Sequence, residues 1–158
     1  YSVRRDGAWV LLEKDAEVRR GELVRADLFV SLPTAGHFIV VDDPVPGGLE
    51  PVNRNLANTS FVDADAGNVE RAGGSWWFRF GDWHHYNVSR WSFHHHEIRH
   101  DSVRYYSDYL PPGNYQLSYT ALAIAEGDFR RMPVRAEAMY DPDFYGIGLN
   151  GTVTVSAQ

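Results

Sequence analysis

The chain has 158 residues, a formal charge of -6 at pH 7, 44% hydrophobic and 23% charged residues, and no cysteine. This is the composition of one ordinary globular domain. Its fourteen arginines and single lysine are scattered, which argues against a nucleic-acid partner, whose footprint needs a basic stripe. Lack of cysteine excludes a disulfide staple, a thiolate nucleophile and a thiolate zinc ligand.

In chain order, residues 9–12 form a short apolar strand candidate. After the Arg20-Gly21 turn, residues 23–31 alternate: Val24, Ala26, Leu28 and Val30 share a face opposite Arg25, Asp27 and Phe29, which is the pattern of a half-buried strand. Residues 38–41, Phe-Ile-Val-Val, make a continuous apolar run and predict a strand in the core of a sandwich. Residues 43–48 hold two prolines and two glycines, which cannot sustain a ladder. Further strands are predicted at 76–80, 91–99, 102–109, 115–123, 128–132 and 151–155. Residues 55–61 and 135–140 are the places where a helical turn is expected. Short strands between turn signals predict an all-β, antiparallel sandwich filling a single domain over 1–158. Residues 58–74 are rich in Asp, Ala, Gly and Asn and read as a long surface loop.

The segment 110–123 is the most specific. Leu110-Pro111-Pro112-Gly113 is a turn, since proline fixes φ and glycine accepts φ > 0. Beyond it, Tyr115, Leu117, Tyr119, Ala121 and Ala123 alternate with Gln116, Ser118, Thr120 and Leu122. A Leu-Pro-Pro-Gly-x-Tyr lead into such a strand resembles the tyrosine corner of immunoglobulin-like sandwiches, with Tyr115 as the corner residue. Its hydroxyl is expected to bond backbone near residues 108–111. Val24, Leu28, Val30, Leu117 and Tyr119 are expected to share one core.

Two concentrations invite functional readings. Six of the seven histidines fall between His84 and His100. On a strand, His94 and His96 would share one face, the usual start of a metal site in β-barrel or sandwich enzymes. The carboxylate or third histidine such a site requires is not at the expected spacing, and Glu97 falls on the opposite face. Solvated or hydrogen-bonded strand histidines are the plainer reading. The aromatic run includes Trp76, Trp77 and Trp83. Exposed tryptophans could stack sugars, as in a carbohydrate-binding module, but such side chains more often cap a core or face a neighbouring domain. Asp63, Asp65 and Gly67 lack the glutamate and flanking helices of a calcium loop. No Gly-x-Ser-x-Gly or phosphate-binding glycine motif is present. No cofactor is implied.

A longer series of motifs runs through the chain: Arg20-Gly21-Glu22-Leu23-Val24, the loop 42–53, His96-Glu97-Ile98-Arg99, Asp101, residues 109–115, Gly127-Asp128-Phe129, and Ala136-Glu137-Ala138-Met139-Tyr140-Asp141-Pro142. Their order resembles the C-terminal macroglobulin-like domain of bacterial α2-macroglobulins, large periplasmic protease traps. The resemblance covers about 120 residues and fades over 58–90, which is read as an insertion. It implies a macroglobulin-type, immunoglobulin-like β-sandwich acting as a non-catalytic structural and interaction domain of a broad-spectrum protease inhibitor. The chain opens on Tyr1 rather than methionine and is expected to be a segment of a much larger polypeptide. The implied partners are the preceding domains of that polypeptide, target proteases indirectly, and a penicillin-binding protein of the kind that accompanies the family. The implied location is the periplasm, with any membrane anchor in an N-terminal part of the parent, since no apolar run here approaches a membrane span. By resemblance, Met139 and Tyr140 would pack against the neighbouring thioester domain and shield its thioester from water. That thioester is not in this segment, because its motif requires cysteine.

Overall fold

A computed structural model describes residues 1–12, 15–52, 69–71, 93 and 95–157. The predicted strand at 76–80, the helical turn at 55–61 and most of the 58–90 insertion lie outside the described residues.

Among the described residues fourteen strands run in chain order: β1 (Ser2–Arg5), β2 (Ala8–Leu11), β3 (Ala16–Arg19), β4 (Leu23–Leu32), β5 (Gly36–Pro44), β6 (Leu49–Pro51), β7 (Val69–Arg71), β8 (His95–Ile98), β9 (Ser102–Leu110), β10 (Gly113–Ala123), β11 (Gly127–Arg131), β12 (Arg135–Ala138), β13 (Asp141–Ile147) and β14 (Gly151–Ser156). No helix occurs among the described residues. A six-stranded sheet, β6-β10-β4-β1-β2-β7, faces a five-stranded sheet, β13-β12-β5-β9-β8, and a smaller β11-β14-β3 sheet supplies a third wall. Pairing is antiparallel except between β3 and β14 and between β2 and β7. This is the expected all-β, immunoglobulin-like sandwich.

Period-two patterning builds the core. Val24, Ala26 and Leu28 of β4 and Tyr115, Leu117, Tyr119 and Ala121 of β10 are buried, against Ile39 and Val41 of β5 and Val103 and Tyr105 of β9. Ala16, Val18, Val153 and Val155 bring the third sheet into the same cluster, and Val30 packs at its margin. β4 and β10 pair over ten residues, from Gly113↔Leu32 to Leu122↔Leu23. A slip of one residue would turn all of these side chains outward, so burial itself holds the register.

Leu110–Gly113 carries the chain from β9 in one sheet to β10 in the other. Tyr115, 4% exposed, donates its hydroxyl hydrogen to the Pro111 carbonyl at 2.6 Å, the corner bond the sequence predicts. Two more phenols tie the sheets together: Tyr105 donates to the Ser118 carbonyl at 3.0 Å and Tyr119 to Asp43 Oδ2 at 2.7 Å. At the far end of β10, the Gly48 carbonyl accepts from the Ile124 amide at 2.9 Å, and a Cβ at Gly48 would run into the Phe129 ring.

Three expectations are corrected. Residues 135–138 form β12 rather than a helical turn, because β5 and β13 flank them and take up their backbone hydrogen bonds on both sides. The ladder at 43–48 continues to Asp43↔Val103 and Pro44↔Ser102. β12 contacts β5 only up to Asp42, so Pro44 lies where no donor is needed on that side. Finally, Phe38, expected in the core, is 46% exposed.

Two outcomes test this packing. Tyr115→Phe should keep the fold and cost about 1 kcal/mol, since the exposed Pro111 carbonyl can turn to water. That corresponds to a fall of roughly 2–4 °C in Tm by calorimetry. Asp43 is 3% exposed, and burial pushes its carboxyl from 3.8 up to about 6. At this one group the unfolded chain therefore holds fewer protons than the native one between those values, so the Asp43 contribution to stability declines as pH rises from about 4 to about 6 and is level above. The decline should be about 3 kcal/mol in urea titrations, and Asp43→Asn, which keeps an acceptor for Tyr119, should abolish it.

Candidate interdomain surface

Met139 and Tyr140 form the two-residue connection between β12 and β13. Neither has positive φ, so the connection is not one of the primed turns that match strand twist. The hairpin instead shifts register beyond Glu137, from Glu137↔Tyr145 to Ala138↔Asp141, leaving residues 142–144 bulged on β13. Pro142 lacks an N–H and suits that bulge. The connection consequently stands away from the core, with Met139 51% and Tyr140 80% exposed.

Phe38 lies beside it on β5. Its backbone is left-handed, at φ 52°. Asp6 (φ 51°) is the other described non-glycine residue with positive φ, but it sits in the Asp6-Gly7 turn of the β1–β2 hairpin, where aspartate accepts that conformation readily. A phenylalanine inside a strand does not. The twist breaks the alternation of β5, so that His37 and Phe38 are both exposed while Ile39, Val40 and Val41 are all buried. The Phe38 carbonyl accepts the Met139 amide at 2.9 Å, and its ring meets Tyr140 edge to face at 5.2 Å. His37 packs on Tyr109 at 4.9 Å across the β5–β9 pair. His37, Phe38, Tyr109, Met139 and Tyr140 thus occupy one end of the five-stranded sheet, with their apolar surface in solvent. None of the five is a serine, threonine, cysteine, lysine or carboxylate.

The other sequence candidates fall elsewhere. His94, Trp76, Trp77 and Trp83 lie outside the described residues. His96 is exposed on β8, its ring 6.2 Å from Tyr105, and His95 lies 5.4 Å from Tyr106 on the next register position. Glu97 is engaged by Arg99 at 2.6 Å. Among the described residues no group of three His, Asp or Glu side chains is placed to hold a metal ion.

A sequence model of the bacterial alpha-2-macroglobulin MG10 domain matches residues 1–143. The chain belongs to that family. Among solved structures, it is similar to trypsin-activated α2-macroglobulin from Escherichia coli, with 25% identity and a TM-score of 0.67 over 91% of this chain and 9% of that one. It is similar also to native Escherichia coli α2-macroglobulin spanning domain MG7 to the C-terminus, with 26% identity and a TM-score of 0.62 over 89% of this chain and 20% of that one. Salmonella α2-macroglobulin reacted with methylamine shares the fold, at 24% identity and a TM-score of 0.62 over 89% of this chain and 8% of that one. The chain therefore spans a fifth or less of the structures it matches. No curated protein sequence matches it.

Of this MG10 surface, sequence reasoning singles out Met139 and Tyr140 and misses His37, Phe38 and Tyr109. Phe38 sits in a run of four apolar residues, and nothing in that run signals a left-handed backbone. The placement has a measurable consequence. Phe38→Gly removes the backbone strain along with a half-exposed ring, so it should change unfolding free energy by less than about 1 kcal/mol. A buried strand phenylalanine would lose about 3–5 kcal/mol on truncation, and urea denaturation separates the two.

Proposed function

We propose that this MG10 domain is a non-catalytic interaction module of a periplasmic bacterial protease trap, and that it packs through Met139 and Tyr140 against the neighbouring thioester-type domain of the same polypeptide. The observation that carries the reading is the exposure of both side chains, 51% and 80%, on a turn outside the core. An apolar pair presented in this way gains from being covered. Family membership supplies the larger chain in which a covering domain would lie.

The physical logic of such a contact is exclusion of water. An activated acyl group survives only where water cannot reach it, and methionine, flexible and polarizable, fills irregular gaps over such a site. Tyrosine adds a large flat apolar face with a polar tip that tolerates the rim of an interface. When a protease cuts elsewhere in the trap, movement of this domain would withdraw the cover. No acid–base pair or nucleophile is needed for that role.

Met139→Ala tests the reading in the intact parent. It should remove about 2–3 kcal/mol of contact, loosen the resting state, and in a thioester-bearing parent hasten hydrolysis with no protease present. In the 158-residue domain alone the same change should hardly move Tm, because the side chain is half in solvent. A large loss of domain stability with an unaltered parent would return Met139 to a purely local role.

A further inference from the structure

Tyr140 cannot hold a defined position by itself. It is 80% exposed on a two-residue connection, and a free aromatic side chain there would distribute over rotamers that an interface must then freeze. Of the described side chains, the one in ring contact with it is Phe38.

Three features of Phe38 converge. Its left-handed backbone, at φ 52° inside a strand, is a conformation a bulky L-residue adopts at a cost. No turn requires it, since β5 continues on both sides, with His37 opposite Tyr109 and Ile39 opposite Ser107. Its effect is to swing the ring out of the core and onto the edge of Tyr140, at 5.2 Å and 88°. Its carbonyl at the same time holds the Met139 amide at 2.9 Å, so one residue fixes the backbone of one member of the pair and the ring of the other. The carbonyl bond continues the β5–β12 register beyond Ala138↔Ile39, whereas the ring contact is one that an ordinary extended phenylalanine, following the alternation of β5, would not make.

We propose that Phe38 is a positioning residue of the interdomain contact: its strained backbone and edge-to-face ring pre-set Met139 and Tyr140 in the orientation that the neighbouring domain of the same polypeptide receives. This rests on the reading of Met139 and Tyr140 as an interdomain contact, and extends it to a residue that no motif marks. The contact surface then begins on β5, in the middle of the five-stranded sheet, rather than on the β12–β13 hairpin alone.

The experiment uses the full-length parent, incubated without protease, with conversion from resting to activated form followed on native gels. Methylamine incorporation is a second readout where the parent carries a thioester. Tyr140→Ala should accelerate conversion. Phe38→Ala should accelerate it by about 3- to 10-fold, the worth of one aromatic pair. The double variant should be no faster than Tyr140→Ala alone, because the two act through one contact. Phe38→Tyr, which keeps the edge-to-face ring, should convert at the wild-type rate. Phe38→Gly, free of backbone strain, should convert as fast as Phe38→Ala. A Phe38→Ala parent at the wild-type rate beside a fast Tyr140→Ala overturns the inference and leaves the contact standing. Additive rates in the double variant, or a Phe38→Gly parent at the wild-type rate, overturn it too. If Tyr140→Ala itself is silent, the contact reading falls and takes the role of Phe38 with it.

Discussion

The crossover at Leu110–Gly113 is the constraint from which the remaining architecture follows. β9 belongs to one sheet and β10 to the other, so four residues must carry the chain across the thickness of the sandwich. Two prolines limit the conformations available to that segment, and the Tyr115 hydroxyl closes it onto the Pro111 carbonyl. With β10 placed, its ten-residue pairing with β4 follows, and so does the face on which Leu117, Tyr119 and Ala121 point. Each of the two further inter-sheet hydrogen bonds uses a β10 residue, Ser118 or Tyr119. β10 is thus common to both phenol bridges between the two larger sheets.

Asp43 is the least comfortable member of that arrangement. A nearly dry carboxylate with one phenol partner and an aspartate neighbour is held toward its protonated form, and burial is the dominant cause. Burial likewise pushes the Tyr119 phenol well above its ordinary value, so Tyr119 remains the donor. A buried polar pair contributes less stability than an apolar pair of the same shape could, but it restricts how the two sheets can be aligned.

The outer end of the five-stranded sheet shows the opposite economy. Phe38, Met139 and Tyr140 are large, apolar and exposed, and one of them is strained. Burying Phe38 would have suited an isolated domain better. That a strand keeps such a residue in a left-handed conformation fits a surface shaped for something beyond the domain. It would also suit the proposed interdomain contact, since a contact confined to a few side chains can be broken without disturbing the core.

The sequence by itself determined a good deal of this. Strict alternation on 23–31 and 115–123 specified two core strands and their buried faces, because period two survives any context in which one face is wet. The turn at 110–113 and Tyr115 specified the corner, since proline and glycine restrict the backbone locally. The ordered motifs from Arg20 to Pro142 were sufficient for the family. Tertiary structure alone decided the rest. Arg135–Ala138 became a strand because β5 and β13 flank it; taken alone, the segment carries no pattern that excludes a helical turn. β3 found its partner 137 residues along the chain, in the parallel pairing of Ala16 with Val153, and no local pattern encodes a contact so distant. Phe38 was illegible because an apolar run predicts burial, and nothing in that run signals the positive φ that sets its ring at the surface against Tyr140.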